Sequence, residues 1–97
     1  MTRRNNSDKQ KAVALDYDHG KDRVPKVSAK GSGHVAERIM KIAVDNNIPL
    51  YRDYDLCEAL FLFDEETEIP EELYAAVARV LAFVYRTNKN FGGAAGN

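Results

Sequence analysis

The sequence predicts an α/β fold, a small mixed β-sheet covered by helices in a single domain, with elements in the order β-β-α-β-α-α. Three observations carry that expectation. Short apolar runs bounded by turn residues stand at Lys11–Tyr17 and Ile48–Tyr51. Helical periodicity sets in at His34 and again at Leu73. The 97 residues suffice for one modest core but not two.

Taken in order, residues 1–10 are polar and without pattern, so they read as a flexible tail. The domain then covers residues 11–88, and the Gly-rich residues 89–97 read as a second tail. Lys11–Tyr17 is the first strand, closed by the turn-like Asp18–Asp22. Pro25–Ala29 is a second, weaker strand, with Pro25 tolerated at its start. Gly31-Ser32-Gly33 breaks the chain before a helix from His34 to Asn47, whose apolar face is Val35, Ile39 and Ile42. Ile48–Tyr51 is a third strand. Asp55 with Glu58 three residues on has the form of a capping box, opening a short helix with the stripe Leu56, Ala59, Leu60 and Phe63. An acidic loop leads to Pro70, Glu71 and Glu72, which suit the start of a helix, and that helix runs to about Thr87.

The last helix has more apolar surface than one contact requires. Leu73, Val77, Val80 and Val84 form a row sufficient to pack on a sheet. Tyr74, Ala78, Leu81 and Tyr85 form a second row. Such a helix is either central in its own fold or has a partner on its second face.

Composition excludes several classes. Hydrophobic residues are 44% and charged residues 30%, and the net charge of −1 offers no bulk attraction to nucleic acid or an anionic membrane. The single cysteine, Cys57, forms no internal disulfide. No apolar run approaches the roughly 20 residues of a membrane helix, and the basic N-terminus lacks the apolar segment of a signal peptide. The expectation is a cytoplasmic protein that is not an integral membrane protein and binds no nucleic acid.

Candidate chemistry is sparse. Lys30 with Gly31-Ser32-Gly33 before a helix resembles half of a phosphate-binding turn, but Val35-Ala36 stand where a third glycine belongs. A tight strand-to-helix turn is the favoured reading of that segment. His19, His34 and Cys57 match no metal spacing. No catalytic constellation, metal site or cofactor is expected, so the residues read as a non-enzymatic interaction domain.

Four separated blocks carry a more specific reading: AVALDYD (Ala12–Asp18), PKVSAKGSG (Pro25–Gly33), DNNIPL (Asp45–Leu50) and IPEELYAAVARVLAFVY (Ile69–Tyr85). In this order and spacing they resemble the cytoplasmic C-terminal domain of FlhB, the flagellar export switch, and its virulence relatives of the YscU type. That family carries a self-cleaving Asn-Pro-Thr-His motif, whose Asn amide attacks its own carbonyl. Ser7, Asp8, Lys9 and Gln10 stand at those positions, and Ser7 has no such amide. The resemblance therefore implies a domain without self-cleavage, similar to the piece that remains after cleavage in relatives. The family's apolar strand before the motif is replaced by MTRRNN.

The resemblance also implies a role. The family domain gates export, taking early rod and hook subunits on an apolar patch before switching to filament subunits. The matching positions are Val24, Pro25, Ala78 and Leu81, with Val24 bulkier than the small residue expected. Implied partners are an export-apparatus membrane protein, including a truncated export switch, and early export substrates. The implied place is the inner face of the membrane, and the implied state a monomer or weak dimer. The alternatives are a phosphate- or nucleotide-binding protein using Lys30–Gly33, and a plain dimerisation domain using the last helix.

Overall fold

The computed structural model describes residues 10–18, 20, 21 and 24–95, with side chains of the final helix as far as Thr87. Ser7, Asp8, Lys9 and His19, and all of the expected N-terminal tail except Gln10, lie outside the described residues.

Two strands form the sheet, β1 (Lys11–Asp16) and β2 (Lys26–Ser32), paired antiparallel. The expected mixed sheet is thus a hairpin-like pair. The register runs from Lys11 opposite Ser32 to Ala14 opposite Ala29, then shifts by one so that Leu15 faces Val27. The extra residue makes a β-bulge. Beyond it, the segment 66–69 closes the outer edge of β2. Val27 N–H donates to the Thr67 carbonyl, Glu66 N–H to that of Val27, and Ile69 N–H to that of Pro25.

That segment occupies the edge a third strand would take. Ile48–Tyr51, expected as a strand, is irregular in the structure. Pro49 has no N–H for a ladder, and Tyr51 instead packs its ring on Phe83, centroids 5.1 Å apart.

Helix α1 (His34–Asp45) covers one face of the sheet. Its buried residues are Ala36 and Ala43. Val35 and Ile42, expected to point into the core, are each 52% exposed. The correction has a steric cause: two small alanines let the helix lie close to the strands, and the larger residues fall to its flank. The helix ends at Asn46 and Asn47, the latter at φ 58°, and Ile48 N–H closes it onto the Ala43 carbonyl.

Helix α2 (Tyr54–Leu60) and helix α3 (Tyr74–Ala95) serve the other face. The cap of α2 is Asp53, not Asp55: the Asp53 side chain accepts the Leu56 N–H at 3.1 Å. Glu58, expected to complete a capping box, pairs with Lys11 of β1 at 3.1 Å. A 3-10 turn, Glu71–Leu73, leads into α3, which stays helical past Thr87 and through much of the expected C-terminal tail. The core joins Val27, Leu56, Leu60, Ile69 and Val77, with Val13, Leu15, Leu73 and Val80 packed against it. The first row of α3 therefore faces inward as its periodicity requires.

Candidate docking groove

The second row of α3 does not reach the centre of this core. Ala78 and Tyr85 are exposed, and Leu81 is half-buried against the rim of the core. Between this row and the sheet lies an open groove of about 130 Å³, lined by Tyr17, Pro25, Ile69, Tyr74, Val77, Ala78 and Leu81.

Each wall follows from local structure. Tyr17 ends β1, and Pro25 stands before β2 with its carbonyl bonded to Ile69 N–H. That bond fixes the floor, where Ile69 is 2% exposed. Tyr74, Val77, Ala78 and Leu81 follow at helical spacing along one side of α3. The surface is mainly apolar with a polar minority, and Tyr17 and Tyr74 are the lining side chains that carry a polar group. It can take an apolar side chain out of water; nothing in it is arranged to move a proton or hold an ion.

Three of the four residues singled out from the sequence, Pro25, Ala78 and Leu81, meet in this groove. Val24 does not line it and packs on the core behind, which accommodates its bulk. Tyr17 and Ile69 escape the sequence reading. Tyr17 carries a signal as the aromatic end of an apolar strand, whereas Ile69 sits inside an acidic stretch and gives none.

The Lys30–Gly33 turn has a different use. The Lys30 ammonium donates to the Phe61 carbonyl at 2.9 Å and lies 5.2 Å from the centre of that ring. It closes the end of α2 rather than pointing at the start of α1. Gly33 N–H is bonded to the Gln10 carbonyl, and Glu37 places a carboxylate in the first turn of α1. This arrangement disfavours an anion there.

His34 is solvated, with Glu37 at 3.4 Å. Among the described residues no group of His, Cys, Asp and Glu is placed to hold a metal ion, and no helix is long and apolar enough to cross a membrane. Burial pushes the Cys57 thiol above its ordinary value, aided by the Glu58 charge.

A family model described as the FlhB HrpN YscU SpaS family matches residues 9–84. The chain belongs to that family. It is similar to FlhB of Escherichia coli (strain K12), 47% identical over 79 residues, which are 80% of this chain and 21% of that protein. It is also similar to YlqH of Bacillus subtilis (strain 168), 41% identical over 81 residues, covering 84% of this chain and 87% of that one. The chain thus spans about a fifth of the FlhB proteins it matches and most of YlqH.

The fold agrees with solved members of the family. The cytoplasmic domain of FlhB from Shewanella putrefaciens superposes with a TM-score of 0.79 at 35% identity, over 87% of this chain and 66% of that one. The PscU C-terminal domain gives 0.73 at 29% identity, over 76% and 95%. The FlhB/YscU membership makes the chain a relative of flagellar and type III export components.

Proposed function

We propose that this chain is a non-enzymatic adaptor of the flagellar or type III export apparatus, docking early export subunits in the α3 groove at the cytoplasmic face of the membrane. The observation that carries the reading is the meeting of Pro25, Ala78 and Leu81 in one apolar groove. The family resemblance points to these positions, and a row of α3 at the margin of the core supplies two of them.

A second contact is part of the same proposal. Gly33 N–H bonds to the Gln10 carbonyl, so Gln10 faces β2, and by alternation Ala12 and Ala14 do too. The backbone groups of Lys11 and Val13 then point away from β2, and neither residue makes another backbone hydrogen bond among the described residues. An open strand edge of this kind accepts a strand from another chain. A truncated export-switch membrane protein is the proposed donor.

The test is a titration of the chain with a peptide from the N-terminal region of a rod or hook subunit, beside a titration with a nucleotide. Peptide-dependent NMR shifts at Ala78 and Leu81 are expected, and none at Lys30–Gly33 with nucleotide. Ala78→Asp and Leu81→Asp should each weaken the peptide complex by about 1–3 kcal/mol, because a charge enters a desolvated patch. Ala78 is the cleaner position, since it is exposed while Leu81 also touches the core. Unchanged peptide affinity in a folded Ala78→Asp variant would sink the docking role.

A further inference from the structure

The segment that brings Ile69 and Tyr74 to the groove is acidic, although no carboxylate lines the groove itself. Between and before these two residues the chain carries Asp64, Glu65, Glu66, Glu68, Glu71 and Glu72. Lys26, which follows the groove residue Pro25, pairs with Glu66 at 3.3 Å. Glu68, Glu71 and Glu72 have no ion-pair partner among the described residues. Glu71 is exposed and stands three residues before Tyr74, in the 3-10 turn that leads into α3, so the two lie on the same side of the chain. Arg79, although adjacent to Ala78, projects about 100° further round the helix and away from the row of Tyr74 and Ala78.

The volume and the charge together describe an occupant. The groove is open and has about 130 Å³ of space, enough to seat a large apolar side chain. The carboxylates beside it set up a negative potential that an acidic neighbour of the anchor would meet as repulsion. We infer that the groove takes a peptide segment in which a basic residue flanks the apolar anchor, on the side that faces Glu71. The inference rests on the docking role proposed above and adds the charge of the partner to it.

The test uses the full chain and three versions of one early-subunit peptide, identical in their apolar residues and carrying Lys, Gln or Glu at the flanking positions. Affinity is read by fluorescence anisotropy, and the site by NMR shifts at Ala78 and Leu81. The Lys peptide should bind about three- to tenfold more tightly than the Glu peptide, a gap that narrows as salt is raised. Glu71→Lys, an exposed substitution that leaves the core untouched, should reverse the order. Equal affinities for the three peptides, or an order that Glu71→Lys leaves unchanged, overturns the basic-flank inference while the groove stands. If none of the peptides moves Ala78 or Leu81, the docking role falls and the inference falls with it.

Discussion

Gly31 of β2 lies directly beneath Val35 of α1, and a Cβ on Gly31 would overlap the Val35 side chain and stand 3.3 Å from its carbonyl carbon. The glycine is therefore required by a close approach between strand and helix. Gly31→Ala should destabilise the fold by about 1–3 kcal/mol, as overpacking does. Adding Val35→Ala should return part of that loss, since Val35 is already half in solvent. Urea midpoints of the two variants decide it; an unaltered midpoint for Gly31→Ala means that α1 does not rest on β2 as described.

Asp53 and Asp55 make a matched pair for testing which residue caps α2. Asp53→Ala should cost about 1 kcal/mol, because the Leu56 N–H loses its acceptor. Asp55→Ala should stay within about 0.5 kcal/mol, as exposed substitutions commonly do. Equal losses in thermal denaturation would restore the capping-box reading.

Amide exchange along β1 should alternate. Ala12 and Ala14 donate towards β2 and should exchange slowly, while Val13 faces the open edge and should exchange fast. A peptide with the sequence of the strand before the family's cleavage motif should slow Val13 and leave α3 unchanged. If Val13 is already as protected as its neighbours in the monomer, the edge is covered and strand addition has nowhere to occur.

Cys57 offers a pH test. Burial raises its pKa in the folded chain, so the folded state holds the proton longer than the unfolded state does. Its contribution to stability is therefore complete below the unfolded thiol pKa and is lost as pH rises through the higher folded value. The rate of thiol labelling against pH should show an inflection above that of the urea-unfolded chain. Lys11 lowers this pKa by its charge, so Lys11→Ala should move the inflection higher still. A folded inflection at or below the unfolded one contradicts the burial of the thiol.

Much of the fold is legible in the sequence because single periods dominate its elements. Leu73 at the entry to α3 and Val77 and Val80 within it recur at helical spacing and pack inward as a row. The surplus row is legible for the same reason, and it leads to Ala78 and Leu81. Where the sequence misleads, hydrophobicity and size pull apart. Val35 and Ile42 are larger and more apolar than Ala36 and Ala43, yet the alanines are the buried pair; Val35, half in solvent, meets the sheet only where Gly31 has no side chain. Ile48–Tyr51 has the residues of a strand, but the available edge of β2 goes to an acidic segment with poor strand propensity, held there by Ile69 in the core. Such competition between distant segments leaves no local mark. Ile69 escapes notice as a groove residue on that account.

The register shift between Ala14 and Leu15 sets what β2 can display. Leu15 faces Val27, which is fully buried, and Val13 faces Lys30, whose ammonium reaches Phe61. Val27 and Lys30 are three residues apart, a spacing that strict two-residue alternation would send to opposite faces. The added residue turns them to the same face, so one strand feeds both the core and the end of α2. In an unbulged strand, Ser28 would stand opposite Leu15 and carry its hydroxyl inward. Length is thus a specified quantity in β2. One residue gained or lost between Val27 and Lys30 exchanges a buried valine for a polar side chain, so substitutions that keep the count are the route by which this strand can vary.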